Sequence, residues 1–187
     1  SDKRIDSFLI GPGLNINQYS ITKIKSLFKT NKNIVLDAGA ISNFKGKLNT
    51  LKNLIYGKNV VITPHEGELR SILPNLKGNF IDKALKAASE LNCIVVLKGA
   101  TTVIASPDNK AIVNCAGAKW LATAGSGDVL AGIICGTLSN KMDSFLASAF
   151  SVWMHSEIGN YLGPGLVAED IPENINLIYK KLLKTNI

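Results

Sequence analysis

Short apolar runs alternate along this chain with longer segments in which apolar residues recur at helical spacing. A short apolar run bounded by glycine, proline or polar residues is typical of a buried strand. Strands are predicted on this basis at residues 8–10, 34–36, 60–63, 94–97, 102–105 and 111–114. Helical spacing predicts helices at residues 21–28, 48–55, 67–73, 80–91, 143–162 and 171–183. This alternation favours an α/β protein with a mostly parallel central sheet flanked by helices.

The alternation is interrupted once, in the second half of the chain. Two apolar runs there flank the turn-forming segment Ser106-Pro107-Asp108-Asn109, which predicts a β-hairpin near residues 102–114. No internal repeat or linker divides the 187 residues, of which 46% are hydrophobic. A chain of this size buries a substantial core as one unit, so a single domain over residues 1–187 is predicted.

Charge and cysteine usage narrow the class of protein. The net charge of +7 favours anionic partners, but the lysines are scattered and not interleaved with aromatic residues, so no nucleic-acid binding is expected. The longest apolar stretches are interrupted or too short to span a membrane, and no membrane association is expected. The three cysteines are far apart and lack metal-ligand spacing. A reduced, cytoplasmic protein is therefore expected.

One glycine-rich turn carries the strongest chemical signal. Residues 122–128 read Ala-Thr-Ala-Gly-Ser-Gly-Asp and lead directly into an apolar helical segment. The free N–H groups and positive end of such a helix bind phosphate. Asp128 is placed to take a proton from the group that attacks this phosphate, which indicates phosphoryl transfer. A helix that is merely capped by Ser126 and Asp128 is the alternative, and the turn is not a P-loop.

Polar or glycine-rich segments also follow four of the predicted strands. They are Gly11-Pro12-Gly13, Asp37, residues 64–68, and Lys98-Gly99. Ligands bind in open α/β sheets at the carboxyl ends of the strands, so these segments predict one crevice together with the glycine-rich turn. Each has a structural alternative: a plain turn at Gly11-Pro12-Gly13, a satisfied structural histidine at His65, glutamates that favour a helix start, and a surface lysine at Lys98.

Several of these segments resemble one family in the expected order. Residues 61–68, Val-Ile-Thr-Pro-His-Glu-Gly-Glu, are similar to the TPHxGE motif of the ADP/ATP-dependent NAD(P)H-hydrate dehydratases, which have a ribokinase-like fold. The segments at residues 11–14, 98–104, 121–132 and 165–170 also resemble this family. The resemblance implies repair of hydrated NADH or NADPH, in which a nucleotide phosphorylates the 6-hydroxyl and elimination of phosphate restores the dihydronicotinamide.

The resemblance also implies roles for particular residues. Asp128 is the expected catalytic base, and the amides of Gly125, Ser126 and Gly127 form the expected anion hole. The expected hydrate-binding residues are Gly13, Asp37, Pro64, His65, Glu66, Glu68 and Asp128. The expected nucleotide-binding residues are Lys98, Gly99, Ala100, Thr101, Thr102, Asn114 and Gly127. ADP or ATP is the expected co-substrate, with Mg²⁺ bridging its phosphates and with no metal site formed by the protein alone.

The chain also departs from the family pattern. Family members usually carry an amino-terminal section before the Gly-Pro-Gly strand, so an amino-terminal truncation is expected. A homo-oligomer, or a second chain that supplies the missing strands, is expected to complete the sheet. Asp37-Ala38-Gly39 stands where the family has Asp-Ala-Asp. Two other functions therefore stay open: a small-molecule kinase of the same fold, and a catalytically silent nucleotide-binding remnant or subunit.

Overall fold

Helices and strands alternate through the first half of the chain, as the apolar pattern predicts. The computed structural model describes Asp2 and residues 4–185, so the ends of the predicted domain lie outside the described residues. The elements are, in order, β1 (Ser7–Ile10), α1 (Gln18–Leu27), β2 (Asn33–Leu36), α2 (Ala38–Ser42), α3 (Leu48–Ile55), β3 (Val60–Ile62), α4 (Glu66–Ile72), α5 (Phe80–Leu91), β4 (Ile94–Leu97), β5 (Thr102–Ala105), β6 (Ala111–Asn114), a 3₁₀ helix (Lys119–Leu121), α6 (Ser126–Ser139), α7 (Ser144–Leu162), α8 (Asp170–Glu173) and α9 (Ile175–Thr185).

The strands form one six-stranded sheet in the order β1-β2-β3-β4-β5-β6. The first four strands are parallel, with Phe8 opposite Ile34 and Ile34 opposite Val60. The turn that starts at Ser106 reverses the chain, so β5 and β6 run antiparallel and form the predicted hairpin. The prediction of a mostly parallel sheet flanked by helices and ending in a hairpin is confirmed.

Helices cover both faces of the sheet, which explains why its central strands are apolar throughout. Side chains alternate between the faces along each strand. In β2, Ile34 and Leu36 join the core beneath α1 to α5, whereas Val35 joins the core beneath α6 and α7. No helix in the described part of the chain is long and apolar enough to cross a membrane.

Two helical details differ from the predictions. The short helix α2 was not predicted, because five residues are too few to show helical spacing. The single helix predicted at residues 171–183 is wrong, since Asn174 separates α8 from α9. The side chain of Asn174 donates to the carbonyl of Asp170, and its backbone N–H donates to the carbonyl of Ile171. Asparagine competes with the helical backbone in this way and ends the first helix.

Candidate active site

The carboxyl ends of the parallel strands bring the predicted polar segments to one edge of the sheet. Backbone hydrogen bonds continue past the strands there: the N–H of Asp37 donates to the carbonyl of Ile10, and that of Lys98 donates to the carbonyl of Pro64. His65 and Lys98 form an additional bridge of the parallel type. These bonds fix the spacing of segments that are far apart in sequence.

Asp37 lies at the centre of this edge and is fully buried. Its Oδ1 atom accepts hydrogen bonds from the Thr63 hydroxyl and from the Lys98 ammonium, each at 2.7 Å. Its Oδ2 atom is buried without a hydrogen-bond partner among the described residues. A buried carboxylate needs a compensating charge, and Lys98 supplies it. Asp37 and Lys98, predicted to bind different ligands, are therefore an ion pair.

The same lysine lies against the glycine-rich turn. A Cβ atom on Gly127 would lie 3.3 Å from the Lys98 Nζ atom, so the absence of a side chain lets the ammonium approach this turn. Asp128 follows directly. Partial burial raises the pKa of Asp128, and the nearby Asp37 charge raises it further, whereas Lys98 opposes the shift. The structure thus gathers Asp37, Lys98 and Asp128 around one point.

The turn before α6 is held by its serine. Gly125 adopts a left-handed conformation with φ of +86°, which favours glycine. The Ser126 hydroxyl donates to the Leu121 carbonyl at 2.7 Å, and the Ser126 N–H donates to the Thr123 carbonyl at 3.3 Å. Of the three predicted anion-hole amides, that of Ser126 is thus already engaged in the turn. The amide of Gly127 lies in the first turn of α6, where backbone N–H groups lack an intrahelical acceptor.

His155 of α7, for which the sequence predicts no role, also supports this turn. Its Nε2 atom lies 3.0 Å from the carbonyl oxygen of Ser126, and the side chain is buried. Because a carbonyl only accepts, the Nε2 atom carries the hydrogen. Burial lowers the pKa of His155 to about 4. The only signal in the sequence was a histidine within an apolar helix, which does not reveal its partner.

We predict that the buried His155 lowers the stability of the folded protein as the pH falls from 6.5 to 4. The fold holds this ring neutral with a pKa of about 4, against 6.5 ordinarily, so the unfolded chain takes up the proton first as the pH falls. The free energy of unfolding should fall by about 3 kcal/mol between pH 6.5 and pH 4. Urea unfolding at several pH values measures this loss. His155→Gln, which keeps a donor for Ser126 but cannot titrate, should show a smaller loss; an equal loss would contradict the prediction.

A cleft of about 610 Å³ opens beside the turn. Predicted nucleotide-binding residues that line it are Lys98, Gly99, Ala100, Thr102 and Gly127. Thr101 lines a neighbouring hollow instead. The Asn114 amide donates to the hydroxyl of Ser156, and Ser156 lines the cleft. The structure therefore places most of the predicted nucleotide residues in one cleft. Asn114 does not line this cleft but contacts Ser156, which does.

The cluster from Pro64 to Glu68 starts helix α4. The His65 Nδ1 atom accepts hydrogen bonds from the N–H groups of Gly67 and Glu68, and the Glu68 carboxylate accepts one from the His65 N–H. This is a capping box. Glu66 pairs with Lys83 at 2.5 Å, and Pro64 is buried. His65 therefore has hydrogen-bond partners that fit the structural role left open by the sequence. Its side chain is nevertheless 61% exposed and lies beside the site.

Two glycines at the end of β1 have different surroundings. A Cβ atom on Gly11 would lie 1.7 Å from the carbonyl oxygen of Asp37, so this glycine lets two backbones meet. Gly13, with φ of +66°, has open space around it and is exposed.

Gly39, in α2, packs closely against another backbone segment. A Cβ atom on Gly39 would lie 2.1 Å from the carbonyl oxygen of Leu14. The backbone here therefore fills the space that a side chain at position 39 would need.

The sheet topology, the crevice at the strand ends and the glycine-rich helix start together define an α/β protein of ribokinase-like fold. A ribokinase-like superfamily protein from Enterococcus faecalis is 28% identical and superimposes with a TM-score of 0.80 over 94% of this chain and 63% of that one. The chain belongs to the NAD(P)H-hydrate dehydratase family, whose sequence profile matches residues 1–174.

Two further relatives agree with this membership. The ADP-dependent (S)-NAD(P)H-hydrate dehydratase of Neisseria meningitidis serogroup B is 31% identical over 97% of this chain and 65% of its own length. The Bacillus subtilis ADP/ATP-dependent NAD(P)H-hydrate dehydratase, co-crystallised with ATP and Mg²⁺, is 27% identical, with a TM-score of 0.80 over 94% of this chain and 64% of that one. The chain spans between 30% and 65% of the length of the curated relatives it matches.

Proposed function

We propose that this protein dehydrates NAD(P)H hydrate back to NAD(P)H at the expense of ADP or ATP. The observation that carries the proposal is the position of Asp128 at the start of α6, directly after Gly127, which lies against the Lys98 ammonium and lines the cleft together with the other predicted nucleotide residues. Family membership supplies the substrate class. The predicted base, anion hole and nucleotide site then serve one reaction.

Asp128 is proposed to start the phosphoryl transfer. Its carboxylate takes the proton of the 6-hydroxyl of the hydrate while the hydroxyl oxygen attacks the terminal phosphorus of the nucleotide. The raised pKa of Asp128 suits this role, because a base accepts a proton more readily as its pKa approaches the working pH. The Gly127 amide and the positive end of α6 stabilise the charge on the transferring group. In the elimination that follows, the bond between the ring carbon and the phosphate oxygen breaks with its electron pair on phosphate. The neighbouring ring carbon loses a proton to solvent, and the electrons of its C–H bond form the double bond of the dihydronicotinamide.

The nucleotide is proposed to bring its own Mg²⁺. No group of three or more metal-ligating side chains exists among the residues that the structure describes. Mg²⁺ commonly binds through substrate phosphates with one or two carboxylates, and it does not require a cage built by the protein. The relative crystallised with ATP and Mg²⁺ supports this arrangement. Lys98 provides a second positive charge for the phosphates from the side of the sheet.

The test of this proposal is regeneration of NAD(P)H from its purified hydrate. Absorbance at the wavelength of the dihydronicotinamide is followed with ADP and ATP supplied separately, each with Mg²⁺. We expect recovery that requires one of the nucleotides and yields one phosphate per NAD(P)H. A stable phosphorylated product that accumulates without NAD(P)H would instead identify a small-molecule kinase. Nucleotide binding without either product would identify a silent nucleotide-binding subunit.

A further inference from the structure

The buried pair of Asp37 and Lys98 has a geometry that a structural ion pair does not explain. Both donors to Asp37, the Thr63 hydroxyl and the Lys98 ammonium, converge on its Oδ1 atom. The Oδ2 atom has no partner within the described residues although the whole side chain is inaccessible to solvent. An unsatisfied buried carboxylate oxygen is costly, so a hydrogen-bond donor for Oδ2 is expected in the working site.

Asp128 is the group positioned to provide that partner. The Lys98 ammonium that bonds to Asp37 at 2.7 Å would lie 3.3 Å from a Cβ atom on Gly127, the residue before Asp128. Partial burial and the nearby Asp37 charge raise the pKa of Asp128. Two ionised carboxylates cannot hydrogen-bond to each other, because neither has a donor. Once Asp128 carries a proton, it becomes a donor. The charged groups that act on Asp128 are Asp37 and Lys98, while His155 on α7 is neutral above about pH 4.

We propose that Asp37 is a positioning residue whose free Oδ2 atom accepts the hydrogen bond of Asp128 after Asp128 has taken the substrate proton. This inference rests on the proposed function. The hydroxyl O–H bond breaks, its proton goes to Asp128, and its electron pair forms the new bond to phosphorus. The bond from phosphorus to the nucleotide oxygen breaks with its electron pair. Lys98 balances the one negative charge that the two carboxyls then share.

The inference is tested without turnover by carboxyl ¹³C NMR of the whole chain labelled at aspartate. Asp37→Asn keeps an acceptor for Thr63 and Lys98 but places an amide donor where Oδ2 lay. We expect the pKa of Asp128 to fall, because a negative neighbour is lost and its carboxylate gains a donor. Ser151→Ala, which removes a buried hydrogen bond to Thr137, is the matched control and should leave that pKa unchanged. An unchanged or higher pKa of Asp128 in Asp37→Asn would overturn the proposal.

A second measurement covers the case in which Asp37→Asn does not fold. In the unaltered protein, the carboxyl signal of Asp37 should move as Asp128 takes up its proton, and this step should vanish in Asp128→Asn. A signal of Asp37 that ignores the titration of Asp128 would also overturn the proposal. Neither readout depends on dehydratase activity. A protein that lacks this activity would overturn the proposed function, whereas the two NMR measurements test the pairing of Asp37 with Asp128 separately.

Kinetics then separate positioning from structural damage. In Asp37→Asn, kcat at pH 7 should fall roughly tenfold, because a weaker base accepts the proton less readily, and the acid limb of the pH–kcat profile should move to lower pH. A general loss of structure would lower kcat without moving this limb. Recovery of activity by excess Mg²⁺ would make Asp37 a metal ligand and would overturn its proposed role.

Discussion

Replacement of Asp128 by asparagine should lower kcat for hydrate dehydration by about 10²- to 10⁴-fold, the contribution typical of a general base. Asparagine keeps the size of the side chain but cannot accept the hydroxyl proton. Asp128 is solvent-accessible at the start of α6, so the fold should tolerate the change. The measurement is single-turnover dehydration, together with nucleotide affinity by calorimetry, which should be maintained because the glycine-rich turn at residues 125–127 is left unchanged.

Asp143→Asn is the matched control for this substitution. Asp143 also begins a helix, where its carboxylate accepts from the N–H groups of Phe145 and Leu146, and asparagine caps helices about as well. The neighbouring Ser144 bonds to Asn59 just before β3, which places this control at the opposite edge of the sheet from the site. We expect ordinary activity from it. Undiminished dehydration by Asp128→Asn would show that another group takes the proton.

Gly11→Ala should prevent folding or destabilise the protein by more than about 4 kcal/mol, a loss that few single substitutions reach. The new Cβ atom would lie 1.7 Å from the carbonyl oxygen and 2.5 Å from the carbonyl carbon of Asp37. Neither atom belongs to a flexible side chain, so β1 and β2 would have to separate. The positive φ of +142° adds backbone strain. Thermal unfolding and the yield of folded protein measure the effect.

Gly57→Ala separates the clash from the backbone strain. Gly57 also has a positive φ, +68°, but no atom lies within 4 Å of the position that its Cβ would take. This variant should fold and lose only about 1–2 kcal/mol, the cost of a left-handed conformation for alanine. If the two variants lost equal stability, the close approach of Gly11 to Asp37 would not be the cause.

The strand ends were predictable because their signals are local. Apolar runs followed by glycine, proline or charge marked Gly11, Asp37, Pro64 and Lys98, and parallel strands necessarily bring such ends together. The hairpin was predictable from its turn residues. The helix α2 was not predictable, because five residues are too few to show a helical period. The interruption at Asn174 was not predictable either, because the sequence pattern is the same whether or not an asparagine ends the helix.

The sequence did not predict which polar groups of the site bond to each other. The motifs predict that Lys98 binds the nucleotide and Asp37 the hydrate, and the structure shows that the two side chains also bond to each other across a separation of 61 residues. His155 had no assigned role, and its contact with the Ser126 carbonyl spans 29 residues. The hydroxyl and the amide of Ser126, a predicted member of the anion hole, both hold the turn.

The sequence by itself determined most of the elements, their order, the edge of the sheet at which the predicted site residues lie and the family resemblance, because apolar periodicity, turn chemistry and motif spacing are all properties of short segments. Only the tertiary structure decided that Asp37 is buried with one oxygen unpaired, that Lys98 lies between it and Gly127, and that His155 supports the turn. The physical reason is that burial and hydrogen bonding depend on distances between remote segments, which are fixed only when the helices pack against the sheet.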